Sequence, residues 1–158
     1  MKLYIGTYKK YNEGSLFGDW LDLENYSNKD EFLEACRELH KDEDDPELMF
    51  QDKEDIPDTL YSESYIDAKI WEVLELEDYE QEAVLAYWSS EDGEIQDILD
   101  RYITTCNSFE EYAAEIADEC FELPESIQPY FDYKAFARDL EHDYEVIEHE
   151  NQVYIFSH

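Results

Sequence analysis

Apolar and polar positions alternate at the start of the chain. Leu3 to Tyr8 is a β-branched and aromatic run that reads as a strand, and Leu16 to Leu23 reads as another after the turn signal Asn12-Glu13-Gly14. The period then lengthens. Phe32, Cys36 and Leu39 fall at helical spacing between Asn28 and Leu39, with Asn28 and Glu31 set as a capping box, and a short strand from Leu48 to Gln51 completes a small sheet. The middle third stays helical in period and reads as all helix. Ile66, Ile70, Val73 and Leu74 mark one face, Asp78 with Gln81 caps a second helix running to Trp88, and Ile95, Ile98, Leu99 and Tyr102 mark a third.

The last third opens on the clearest amphipathic segment. Ser108 with Glu111 forms a capping box, and Phe109, Ala113, Ile116 and Cys120 make an apolar stripe. Glu111, Glu115, Asp118 and Glu122 repeat that spacing two residues later, about 200° around the helix, so one face packs and the other is a row of carboxylates. Like charges at this spacing cost a few tenths of a kcal/mol per pair, and no Lys or Arg lies nearby in sequence to offset them. Pro124 suits a helix start, Asp132 caps a helix through Leu140, and Val146 to His149 with Gln152 to Phe156 reads as a closing hairpin. The elements together predict an α+β chain.

Charge changes the picture most. The 158 residues carry 44 Asp and Glu against 11 Lys and Arg, a net of −33. Residues 1–60 hold 17 acids and 7 bases, 61–103 hold 13 and 2, and 104–158 hold 14 and 2, so the acid is built into every third rather than into a tail. A small soluble domain does well with a net charge of roughly 2 to 8 in magnitude. Duplex DNA carries one charge per about 1.7 Å of axis, so this excess matches the phosphates along roughly 56 Å of helix. A compact fold of this length has a radius of gyration of about 15 Å, so the chain is expected to be elongated. Its partners are then proteins with basic, nucleic-acid-binding surfaces. Nucleic acid itself and anionic membranes repel it. Aromatic residues at 16% exclude a disordered acidic tail, and their abundance also argues against salt adaptation as the reason for the acid.

Three cysteines, Cys36, Cys106 and Cys120, form no C-x-x-C pair and leave one unmatched, which points to reduced thiols and a cytoplasmic protein. Ala83 to Trp88 is too short to span a bilayer, and the segment beginning Met1-Lys2-Leu3-Tyr4 lacks a signal-peptide core.

Catalysis finds little support. His40, His142, His149 and His158 sit in no nucleophile or metal pattern and are expected on the solvated surface, and four glycines build no phosphate-cradling loop. Asp42-Glu43-Asp44-Asp45 fails as a calcium loop, since an EF-hand counted from Asp42 needs Gly at Glu47 and Glu at Lys53. No cofactor or metal is expected, and any glycosidase-like carboxylate pair is uninformative among so many acids. The acids taken as the binding surface are Asp42, Asp44, Asp45, Glu72, Glu75, Glu94, Asp97, Asp100, Glu111, Glu115, Asp118 and Glu122.

Three stretches together resemble the ArdA family of antirestriction proteins, carried by plasmids and conjugative elements. In Tyr11 to Leu23, Tyr11, Asn12, Gly14, Leu16, Gly18 and Trp20 match the family pattern, and Leu39 to Pro57 is similar to the acidic loop and strand of its first domain. Leu123 to Leu140 is similar to its antirestriction motif through Leu123, Pro124, Tyr130, Phe131, Asp132, Tyr133, Ala135, Ala137, Arg138, Asp139 and Leu140. The resemblance implies an elongated homodimer of three-domain subunits, here 1–60, 61–103 and 104–158. It also implies that carboxylates imitate DNA phosphates and block the groove of type I restriction-modification enzymes, without catalysis. The alternative is an acidic inhibitor of another basic DNA-binding protein or nuclease. Lys134 stands where relatives often carry an acidic or neutral residue, which leaves Leu123 to Leu140 with three acids against two bases. The motif is therefore read as packing and subunit contact, anchored by Tyr130, Phe131, Tyr133 and Phe136, with Arg138 paired internally.

Overall fold

A computed structural model describes residues 1–121 and 124–158, with 47% helix and 24% strand, which is the α+β class expected. The chain divides into two units, Met1–Glu77 and Asp78–His158.

In the first unit, strand β1 (Lys2–Thr7) is the centre of an antiparallel sheet, flanked by β2 (Asp19–Asp22) and β3 (Leu48–Glu54). Alternation along β1 sends Leu3 and Ile5 into the core, and Tyr4 pairs across to Trp20 on the opposite face, their rings 5.6 Å apart. Between the first two strands lies a short helix, α1 (Tyr8–Asn12), so β1 ends before Tyr8 and β2 starts only at Asp19. Gly14 holds a left-handed φ of 80° in the turn after α1. At Gly18 a Cβ would stand 2.2 Å from the Ile5 carbonyl oxygen, so the loop closes on β1 only with glycine there.

Helix α2 (Lys29–Leu39) covers the core face with Phe32 and Cys36. Its cap departs slightly from the expected box. Asn28 Oδ1 accepts from the Glu31 amide at 3.0 Å, while Glu31 reaches back to the Ser27 amide at 2.9 Å instead of to Asn28. Phe32 meets Phe50 of β3 and Trp71.

The stretch after residue 60 is not all helix. Tyr61–Ser62 (β4) pairs with Tyr65–Ile66 (β5), which places Ile66 in a ribbon, and helix α3 is confined to Lys69–Leu74. A buried Ile at helical distance from Ile70 satisfies the same spacing from a strand end, so periodicity alone did not separate the two.

The second unit begins with α4 (Asp78–Trp88) and α5 (Ile95–Arg101), then β6 (Tyr102–Cys106), α6 (Phe109–Phe121), α7 (Tyr133–Leu140), β7 (Tyr144–His149) and β8 (Gln152–Ser157). Its antiparallel sheet has the order β6-β8-β7. Tyr102 opens a strand rather than closing a helix, because Ile103, Thr104 and Thr105 favour extended backbone. The expected hairpin forms, with β7 and β8 in register from Tyr144↔Ser157 to His149↔Gln152. Its turn residues Glu150 (φ 50°) and Asn151 (φ 67°) are both left-handed, the primed turn that suits strand twist.

Arg101 ties this unit together. Its guanidinium donates to the Ser157 carbonyl (2.8 Å), to the Tyr87 hydroxyl (2.9 Å) and to the Glu145 carboxylate.

Candidate functional site

Every described acid of the expected binding surface is exposed: Asp42, Asp44, Asp45, Glu72, Glu75, Glu94, Asp97, Asp100, Glu111, Glu115 and Asp118. Glu122 and Leu123 lie outside the described residues.

On α6 the sequence pattern becomes a surface. Ser108 Oγ accepts from the Glu111 amide at 3.2 Å and starts the helix, and Phe109, Tyr112, Ala113 and Ala117 bury one side. Phe109, Tyr112 and Ala113 pack with Ala137, Val153 and Ile155. Cys120 departs from the expected apolar stripe and is exposed, because the buried face follows Tyr112 and Ala117 instead. Opposite stand Glu111, Glu115 and Asp118. Glu111 and Asp118 accept from neutral groups, Asn107 Nδ2 at 2.9 Å and the Tyr133 hydroxyl at 3.0 Å respectively. Among the described residues no lysine or arginine pairs with this row. The row therefore faces solvent without an internal counter-ion among the described residues.

The acidic loop of the first unit is built differently. Lys10 Nζ reaches Asp42 at 2.8 Å and Glu43 at 3.4 Å, and Glu43 also accepts from the Thr7 hydroxyl at 2.7 Å. His40 contradicts its expected place on the solvated surface: it is fully buried. Lys10 Nζ lies 2.9 Å from its Nδ1 and the Ile5 carbonyl oxygen 3.1 Å from its Nε2. An ammonium only donates and a carbonyl only accepts, so these partners assign the neutral tautomer with hydrogen on Nε2. Partial burial lowers the affinity of Lys10 for its proton, but the bonds to Asp42 and Glu43 outweigh it and hold the ammonium above the ordinary lysine range. The same bond holds Asp42 below the usual carboxylate range.

The motif stretch splits in two. Asp132 caps α7 by accepting from the Ala135 amide at 3.0 Å, and Phe136, Ala137 and Leu140 pack on the core beside α6. Phe136 meets Phe121 edge-on at 5.6 Å, and Phe131 stacks near Tyr133 and Phe136. Arg138 pairs with neighbouring Asp139 at 3.3 Å, both exposed, an internal pairing as expected. Pro124 is exposed and Tyr130 is 86% exposed. Half-exposed Phe121 and Ile127 join it as large apolar side chains in solvent. Sequence reading missed both, although each is an apolar residue flanking or within the motif.

Among the described residues, no helix is long and apolar enough to cross a membrane. No group of three or more His, Cys, Asp or Glu among them is placed to hold a metal. No curated protein matches the chain. A family model described as antirestriction protein (ArdA) matches residues 3–154, from the first strand into the last and so across both units. The charge, the three stretches and this match agree, and the chain belongs to the ArdA family of antirestriction proteins, a family of inhibitors.

Proposed function

We propose that the chain is a non-enzymatic DNA mimic, working in the cytoplasm, that occupies the DNA-binding groove of a type I restriction-modification enzyme. The observation that supports this reading is the α6 row, where Glu111, Glu115 and Asp118 face solvent and the hydrogen bonds to Glu111 and Asp118 come from neutral groups. A carboxylate without an internal cation presents its full charge, as a phosphate does. The like-charge cost on α6 is then offset by the partner's Lys and Arg, which read DNA in its absence. The three-part organisation 1–60, 61–103 and 104–158, with an elongated subunit, belongs to the same proposal.

The subunit pairs with a second copy through the motif end. Tyr130, Ile127 and Phe121 expose apolar area in a stretch of low net charge, where two subunits of −33 each approach with least repulsion. Tyr130→Glu therefore gives a folded monomer by light scattering, and a dimer that survives it moves the interface elsewhere. Tyr133 and Phe136 are poorer probes, because they hold α7 to α6.

Competition between the protein and a DNA duplex for a purified type I methyltransferase core tests the mimicry. Displacement that weakens with added salt, on a shallower slope than DNA's own, is expected. Binding indifferent to salt overturns it.

A further inference from the structure

On the side of the first sheet turned away from α2, the chain carries an open cleft of about 480 Å³. Tyr11 and Tyr61, the apolar Leu16, Met49 and Phe50, and the polar Gln51 and Glu63 line it. Tyr11 is 51% exposed and Leu16 69% exposed, a large apolar area for a chain so rich in charge. Tyr61 is held in place, its hydroxyl donating to the Phe50 carbonyl at 2.5 Å. Phe50 in turn donates its amide to the Glu63 carbonyl at 2.7 Å, so the carboxylate and the ring share one braced segment.

We propose that this cleft seats an arginine side chain of the protein partner. A guanidinium is planar and weakly hydrated, stacks flat on tyrosine rings and forks onto a carboxylate, whereas an ammonium meets ring and carboxylate only as a strongly hydrated point charge. The cleft brings the residue types for all three together: two tyrosines, apolar walls for the stem and one glutamate. Its electrostatics have the right sign. Burial raises the Tyr61 phenol above its ordinary pKa and the carboxylates of Asp52, Glu63 and Asp58 raise it further. One internal cation already uses that ring, with Lys53 Nζ 5.5 Å from its centroid. The proposal rests on the mimic reading, and it adds a shape-selective contact to a surface otherwise described by charge alone.

The chain has two methionines, Met1 and Met49, so methyl-labelled methionine in the full-length protein gives one reporter in the cleft and one control. The probes are three capped tripeptides, Gly-Arg-Gly, Gly-Lys-Gly and Gly-citrulline-Gly. The arginine peptide is expected to move the Met49 signal saturably and leave Met1 still, with the lysine peptide at least fivefold weaker and the neutral citrulline peptide silent. Glu63→Gln, an exposed and nearly isosteric change, is expected to weaken the arginine peptide three- to tenfold. A Met49 signal that does not move, equal response to arginine and lysine, or indifference to Glu63→Gln overturns the assignment. The enzyme competition separates the two ideas. Peptide seating in a protein that binds no restriction enzyme supports the cleft and sinks the mimic reading; enzyme binding with a silent Met49 does the reverse.

Discussion

The acidic loop around Asp42 and the acidic helix α6 carry similar side chains and use them in opposite ways. In the loop, one lysine gathers Asp42, Glu43 and the buried His40, so part of the negative charge is consumed in holding the backbone to β1 and α1. On α6 the carboxylates receive hydrogen bonds from an amide and a phenol but no cation. Acid content alone does not distinguish a structural carboxylate from a presented one. Internal cations do, and the first 60 residues hold 7 of the 11 bases.

Removing the cation from the loop is the severest way to break this contrast. Lys10→Met leaves the buried Nδ1 of His40 without its donor and Glu43 without its ion pair, so about 3 kcal/mol of stability should be lost in chemical denaturation. A loss under about 0.5 kcal/mol, the scale of an ordinary surface substitution, shows the loop stands without it.

Neutralising α6 should act on binding and spare the fold. In Glu111→Gln/Glu115→Gln/Asp118→Asn, each lost exposed pair with the enzyme is worth roughly 0.2 to 1 kcal/mol, so affinity should fall by roughly three- to 150-fold. The melting temperature should hold or rise as like-charge repulsion is relieved. Asp42→Asn in the loop should instead lower stability, since Asp42 helps to anchor Lys10. If the two variants behave alike in melting and in competition, the distinction between consumed and presented acid fails.

Smaller effects sharpen it. Glu150 holds a left-handed backbone at the β7–β8 turn, where asparagine is at less cost, so Glu150→Asn should stabilise the second unit by about 1 kcal/mol, read as a rise in melting temperature. No change there means that the turn does not strain the hairpin.

A further effect is alkaline. Burial pushes the Cys36 thiol up to about 12 from 9.0, and burial followed by the Tyr144 hydrogen bond pushes Tyr112 to about 12 from 10.0. The folded chain keeps protons that the unfolded chain releases, so unfolding is favoured as pH rises. Stability should be full below about pH 9 and decline towards 12. Thermal melts from pH 8 to 11 check this, and Cys36→Ala should flatten part of the slope. In the native protein a thiol reagent should modify exposed Cys120 well before Cys36.

Local chemistry was legible where neighbours in sequence decide structure. The Ser108 cap, the two faces of α6, the Asp132 cap of α7 and the closing hairpin all depend on residues within a few positions of each other. Where the deciding partner was distant, the reading failed. His40 is buried because the Ile5 carbonyl and Lys10 meet it from 35 and 30 residues away. Ile66 belongs to a ribbon because Tyr61 pairs with it. Nothing near Cys120 in sequence showed that the helix would turn it outward.

By itself the sequence determined the family, the α+β character and the net charge of −33, because composition and short-range pattern are properties of the chain before it folds. The tertiary structure decided which carboxylates of α6 were left without a cation and which residues came to line one cleft with Glu63. Ion pairing and cavity shape depend on separations of a few ångströms between residues tens of positions apart, and only folding brings those within reach.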